Sequence, residues 1–225
     1  MSPVQPAELE PLVIVGAGGF GREVLDVMEA INAERPTYGL LGFVDDAITD
    51  VNLERITARG ATHLGGVADH LAGPHSRVSY VIGIGGPGTR RSLAARFDAA
   101  GAGAATLVHP ASTQGSAVSI GAGSVICAGV RLTTNIGIGR HAHINLNATV
   151  GHNTTIGEFV SLNPLASISG DCCLEDGVLV GVAGVVLNGL RVGAGATVGG
   201  SACAVRDVPP ATTVVGVPAK PLPVR

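Results

Sequence analysis

The sequence predicts an α/β plus all-β chain: a small Rossmann-like N-terminal domain followed by a parallel β-helix of six-residue repeats. Three observations predict this. Strands and helices alternate over the first hundred residues, with glycine turns between them. From Ile120 onward an aliphatic residue returns every six positions. The composition is 46% apolar but only 3% aromatic, with 34 glycines in 225 residues, so the core is built of small and branched aliphatics joined by many tight turns. The predicted units are 1–107 for the α/β domain, 108–208 for the repeats and 209–225 for a proline-containing tail.

In chain order, PLVIVGAGGFGREVLDVMEAI reads as a buried strand, a glycine turn and an amphipathic helix. LLGFVDD is a second strand ending in Asp45 and Asp46. SRVSYVIGIGGPGTRRSLAARFDAAG repeats strand, glycine turn and helix, and ATLVHP is a last short strand, with His109 at the domain junction. Gly16, Gly18 and Gly21 spell GxGxxG, with Gly19 and Phe20 inside the same turn. Backbone N–H groups at such a turn, aligned with a helix N-terminus, attract phosphate. A domain this short holds about half of a full dinucleotide fold. The preferred ligand is therefore a sugar-linked nucleotide diphosphate, with Asp45 and Asp46 accepting from ribose or base donors. The same glycines also serve close strand–helix packing, and the two aspartates also serve as loop caps.

Stepping by six from Ile120 to Val198 meets Ile, Leu or Val at fourteen successive positions without an insertion. That period fits neither an amphipathic helix nor a hairpin; it fits a triangular prism with three hexads per coil. The aliphatic points inward, a small residue follows four positions later, and Gly or Asn immediately after the aliphatic is expected to take the left-handed backbone at the corner. Asn145 and Asn163 are explained that way. Coils stack about 4.8 Å apart, so residues eighteen apart lie one above another. DVPPATTVVGVPAKPLPVR leaves the repeat and is expected to cover one end or a neighbouring subunit.

His152 stands out against this background. It follows Val150 by two positions, so it belongs at a corner, facing outward, while Val150 and Thr154 point in. Asn153 beside it stacks between Asn135 and Asp171. A neutral imidazole suits removal of a proton near neutral pH. His141 and His143 are expected on another side of the coil, exposed and solvated. The net charge of −3 offers no basic field for nucleic acid. No apolar run is long enough to cross a bilayer. The opening MSPVQPAELEP lacks a leader's basic and apolar regions, which points to the cytoplasm. Cys127, Cys172, Cys173 and Cys203 make no CxxC pair and are expected as small buried thiols. No metal-ligand spacing is present, and no metal is expected.

The hexads, GAGGFGREV, GFVDD, LVHP and GVPAK together cover nearly the whole chain. They resemble the hexapeptide-repeat acyltransferases, in the branch that joins a Rossmann-like domain to a left-handed β-helix. That branch includes nucleotide-amino-sugar N-acetyltransferases and sialic-acid O-acetyltransferase-like proteins. The resemblance implies homotrimers with active sites between neighbouring β-helices, acetyl-CoA as donor, and a nucleotide-linked sugar bound beneath the N-terminal domain. Within ATVGHNTTIGEF it makes His152 the catalytic base. Asn153 stands where amino-sugar members often carry an acidic residue, so Asp171, one coil away, is the candidate carboxylate. Phe20 stands where many relatives have histidine. Gly181, Gly199 and Lys220 of GVPAK are assigned to coenzyme A. The expected reaction is acetylation of the amine of a nucleotide-linked amino sugar for surface-polysaccharide or glycan synthesis. The alternatives are sugar O-acetylation, a non-catalytic nucleotide-sugar binder and, from GxGxxG alone, an NAD-dependent oxidoreductase.

Overall fold

A computed structural model describes residues 9–222. The opening residues 1–8, read above for a leader, and 223–225 of the tail lie outside the described residues. The N-terminal unit runs β1 (Glu10–Val15), α1 (Gly19–Glu34), β2 (Tyr38–Val44), α2 (Asp50–Thr57), α3 (Val67–Ala72), β3 (Ser79–Ile82) and α4 (Pro87–Ala99). Its sheet is parallel throughout, in the order β2-β1-β3. The helices α2 and α3 were not anticipated. They are short, and α2 is started by Thr49, whose side chain accepts from the Asn52 N–H. β1 is fully buried from Leu12 to Val15, and α1 lays Val24, Leu25, Val27 and Met28 against the sheet.

Leu107–Val108 (β4) does not join that sheet. It pairs with Val125–Ile126 and opens the solenoid, a left-handed β-helix of about six coils. Three parallel sheets form its faces. The first runs from β4 through His143–Ile144 and Ser161–Leu162 to Thr197–Val198. The second carries Thr149–Val150 and Ser167–Ile168, and the third Thr155–Ile156 and Cys173–Leu174. Register partners are eighteen residues apart, as in His143↔Ser161, Thr149↔Ser167 and Thr155↔Cys173. The aliphatics of the repeat fill the interior, all buried except the half-buried Ile120 of the first coil. Each contributes about 1.5–3 kcal/mol by leaving water.

The corners correct the reading of Gly and Asn. The left-handed residue comes three positions after each aliphatic, at every sixth residue from Ala117 to Ser201. This is the third residue of a turn such as Asn145–Ala148, in which the Ala148 N–H donates to the Asn145 carbonyl. Neither Asn145 nor Asn163 has a positive φ. The glycines after the aliphatics answer to space instead: a Cβ on Gly139 would lie 2.6 Å from the Gly157 carbonyl carbon of the next coil.

The tail closes one end of the prism. Thr213–Val215 pairs with Thr197–Val198, Val208 and Val214 are buried, and Lys220–Pro221 folds back antiparallel on Val214–Val215. All four cysteines are free. Cys127 and Cys172 are buried as expected, but Cys173 and Cys203 are half-buried because their strand positions face out.

The N-terminal domain sits on the first face and one corner of the prism. Arg90, completely buried, is the rivet. It donates to Ile84 and Gly85 carbonyls on its own side (3.1 and 2.7 Å), and to the His141 and Phe159 carbonyls and Ser161 Oγ on the solenoid (3.1, 2.7 and 3.0 Å). Burial pulls its pKa down to about 10, which leaves it a cation at neutral pH. Around it, His141 stacks between Tyr80 and Phe159, Arg91 lies 4.5 Å over the Phe159 ring, and Arg140 pairs with Asp98 at 2.9 Å.

Candidate active site

His152 and Asn153 are the two central residues of the corner between Thr149–Val150 and Thr155–Ile156, and Asn153 carries the left-handed backbone (φ 56°). The imidazole is 53% exposed and lies flat against the bare Cα of Gly170, one coil on, where an added Cβ would come 2.5–2.9 Å from three ring atoms. A polar ladder runs beside it. Asn135 Nδ2 donates to Asn153 Oδ1 (3.1 Å), and Asn153 Nδ2 donates to Asp171 Oδ1 (2.9 Å). His152 Nδ1 is 3.2 Å from Asn153 Nδ2 and 3.7 Å from Asp171 Oδ2. The two neighbours ask for opposite tautomers. An amide N–H needs a lone pair on Nδ1 and so puts the proton on Nε2. A carboxylate needs Nδ1–H and so leaves Nε2 free to take a proton. In the structure the amide is the nearer of the two, and only a closer approach of Asp171 would favour the tautomer with a basic Nε2. Closing its gap to a hydrogen bond of about 2.9 Å takes a shift of about 1 Å.

At the glycine turn, space separates the glycines. A Cβ on Gly16 (φ +101°) would meet Ile84 Cγ1 at 2.6 Å, and one on Gly21 would strike the Gly16 carbonyl oxygen at 1.9 Å. Packing accounts for both. Gly18 and Gly19 face open space, and α1 begins there with no side-chain cap, so its first N–H groups stay available to an anion. Asp45 and Asp46 are engaged locally: Asp45 accepts from the Ala17 and Ala47 N–H groups (2.7 and 2.8 Å), and Asp46 accepts from Val67 N–H at the start of α3 (2.7 Å). Asp45 thereby ties β2 to the glycine turn.

Phe20 reaches the solenoid, with its ring 4.5 Å from that of His143. Together with Glu23, Gly85, Asn145, Ser161 and Asn163 they line a cavity of about 290 Å³ between the glycine turn and the first face. Here the structure corrects the reading of two histidines. His141 and His143 are 0% and 1% exposed, because the N-terminal domain covers the side of the coil they occupy. Burial holds His141 down to about 4 and His143 well below the ordinary histidine value.

The candidate residues fall into three groups. His152, Asn153 and Asp171 form one cluster. Gly18, Gly19 and Phe20 adjoin the cavity, with Asp45 behind them. Gly199 and Lys220 meet through Val215 at the far end of the prism: a Cβ on Gly199 would lie 2.7 Å from Val215 Cγ1, and Lys220 is Val215's strand partner. A Cβ on Gly181 would lie 2.5 Å from Gly200 N, so close packing accounts for that glycine. The cavity opens on the first face, whereas His152 occupies the corner between the second and third, and no residue of that corner lines the cavity. Arg90 and Gly170 were missed. Arg90 shares a buried helix stripe with Leu93, Ala94 and Phe97, and a charge on that stripe was the available signal. Gly170 follows His152 by eighteen, and applying the stacking rule to His152 itself would have found it.

Among the described residues no cluster of His, Cys, Asp or Glu is placed to hold a metal, and no helix is long and apolar enough to cross a membrane. Comparison with known proteins extends the picture. Residues 11–97 match the family described as the PglD N-terminal domain. GDP-perosamine N-acetyltransferase of Escherichia coli O157:H7 is 29% identical over 213 residues, covering 92% of this chain and 94% of that one. The acetyltransferase domain of PglB from Neisseria gonorrhoeae superposes with a TM-score of 0.82 at 27% identity, over 95% of this chain and all of that one; it has also been solved with acetyl coenzyme A. PerB from Caulobacter crescentus, solved with CoA and GDP-perosamine, gives 0.76 at 25% identity, over 95% and 97% of the two chains. Residues 11–97 thus match the PglD N-terminal domain, and nearly the whole chain is similar in sequence and fold to GDP-perosamine N-acetyltransferase and the PglB acetyltransferase domain.

Proposed function

We propose that this protein transfers acetyl from acetyl-CoA to the amine of a nucleotide-linked amino sugar, with His152 as general base. The observation that carries the reading is the half-exposed imidazole seated on Gly170 beside the Asp171 carboxylate, on a frame homologous to acetyltransferases. The neutral amine attacks the thioester carbonyl and forms the N–C bond. Its proton passes to His152 Nε2 while Asp171 holds Nδ1–H. The C–S bond then breaks, and the imidazolium returns the proton to the leaving coenzyme A thiolate. Neutral imidazole beside a carboxylate suffices for this, and no covalent enzyme intermediate is needed.

The glycine turn, through Gly18 and Gly19, takes the nucleotide diphosphate, with Asp45 and Asp46 near ribose or base. Phe20 and the adjoining cavity take the sugar. Gly181, Gly199 and Lys220 mark the coenzyme A side. A single chain keeps its cavity and its His152 on different sides of the prism, which supports a homotrimer whose sites lie between neighbouring copies. The exposed Leu146, Leu165 and Val182 on one corner column supply an apolar seam for it. A cytoplasmic place in surface-polysaccharide or glycan synthesis follows from such a substrate. The test is coenzyme A release over UDP-, GDP- and dTDP-linked amino sugars, GDP-perosamine among them, and free sialic acids. One nucleotide amino sugar should be acetylated, and His152→Ala should lose at least a hundredfold in kcat. Unchanged turnover in that variant removes the base. Turnover only with sialic acids moves the reaction to a hydroxyl.

A further inference from the structure

Glu23 is the charged group at the sugar cavity that the proposed reaction leaves unused. It follows Phe20 by three positions on α1, and both line the cavity of about 290 Å³. Glu23 is exposed, so a guest in that space can reach it. It is the one charged side chain in the wall, since burial holds the ring of His143 well below the ordinary histidine value. The nearby cations are committed elsewhere. Arg22 turns to the Ala17 carbonyl and to Asn52 Oδ1 (3.1 and 2.8 Å). Arg90 lies behind the wall and spends its N–H groups on Ile84, Gly85, Phe159 and Ser161. On its other side Glu23 borders a smaller cavity of about 140 Å³, shared with Asp26, Cys127 and Leu146, which brings no lysine or arginine either. Among the described residues Glu23 makes no ion pair and no side-chain hydrogen bond. Burial and then Asp26 hold its carboxyl above the ordinary glutamate value, with Arg22 opposing.

The wall narrows the guest. A lone carboxylate in a space without a cation attracts positive groups and repels negative ones. The diphosphate therefore belongs at the glycine turn, and the sugar is the part of the substrate that enters. Asn145 spends an amide N–H on the Leu162 carbonyl (2.9 Å), and Ser161 donates to the Gly85 carbonyl (3.3 Å), so the wall suits a guest that brings its own donors. An ammonium brings three N–H groups and a full charge, and it keeps two N–H groups after giving one proton to the base. A hydroxyl brings one donor and no charge, and hydrogen bonds between charged partners are the stronger ones.

We propose that Glu23 is a specificity-determining residue whose carboxylate accepts N–H bonds from the amino group of the sugar, so that the cavity selects an amine over a hydroxyl. The inference rests on the nucleotide-sugar reading above and discriminates between its two acceptors.

The test titrates wild type, Glu23→Gln and Asp26→Asn with each nucleotide amino sugar of the panel, with its twin carrying a hydroxyl in place of the amine, and with the bare nucleotide. Wild type should bind the best amino sugar at least tenfold more tightly than its hydroxyl twin. Glu23→Gln keeps the shape of the side chain and should erase that preference while binding the bare nucleotide no more weakly than wild type. Asp26→Asn, which removes the neighbouring carboxylate that faces Arg59 at 2.9 Å, should keep the preference within twofold. No preference in wild type, an undiminished one in Glu23→Gln, or equal losses in both variants overturns the proposal. The functional reading fails separately: if no panel member binds wild type, both fall, whereas an active His152→Ala removes the base and leaves the Glu23 titration to stand.

Discussion

Replacing Gly170 with alanine should silence the site without unfolding the protein. The new methyl carbon would stand 2.5, 2.6 and 2.9 Å from Cε1, Nε2 and Nδ1 of His152, whereas carbon contacts settle at about 3.5–4.0 Å. The ring must therefore retreat by about 1 Å, which also changes its distance to Asp171. Misplacing a catalytic group by about 1 Å costs on the order of a hundredfold in rate. Stability should scarcely move. Gly170 lies outside the left-handed region, and the three atoms nearest to an added Cβ all belong to a half-exposed side chain. Restricting the unfolded chain returns about 0.4–1 kcal/mol, which offsets a rotamer penalty of about 0.5–1.5 kcal/mol. Thermal melts should agree within a few degrees while kcat for coenzyme A release falls about a hundredfold and KM for acetyl-CoA holds. Undiminished kcat in a folded Gly170→Ala would refute the idea that this imidazole's seat sets the rate.

Other perturbations read other parts of the structure. Asp171→Asn removes the carboxylate proposed to select the Nδ1–H tautomer; kcat should fall at least tenfold with binding unchanged, and full activity would take Asp171 out of the mechanism. Arg90→Met leaves the His141 and Phe159 carbonyls without their donor, at about 1–3 kcal/mol each, and a denaturation midpoint equal to wild type would show that the rivet is dispensable. Stability should also fall between pH 6.5 and about 4. His141 is held down to about 4 when folded, so across that window the unfolded chain binds the extra proton; stability is fullest above pH 6.5 and declines as pH drops. At roughly 1.4 kcal/mol per unit the loss is about 3 kcal/mol, His70 and His143 add to it in the same direction, and a pH-independent midpoint over that range would contradict it.

The prism was legible because one spacing repeats through it. Period six places the aliphatics, and period eighteen alone puts Asn135, Asn153 and Asp171 in the one ladder that the structure shows. The left-handed corner was put two positions early because glycine after the aliphatic meets a spatial demand that looks, in sequence, like a conformational one. The histidines were misread for a different reason. A repeat tells which residues leave the prism, but not what covers them. His141 and His143 do point away from the core, into a domain whose docking rests on Arg90, and neither the repeat nor composition records that contact. The glycine turn was found, but sequence could not sort Gly16 and Gly21, which packing demands, from Gly18 and Gly19, which it does not.

The uninterrupted repeat has a consequence for how such a chain tolerates change. Its coils behave like the thread of a screw. Losing one residue between Ile120 and Val198 would put every later aliphatic out of phase, turning wet surface inward along the whole remaining length. Losing eighteen would merely shorten the screw by one pitch. Even that harmless-looking cut is forbidden around residues 141–171, because Arg90 grips two successive coils there and His152 rests on the next coil up.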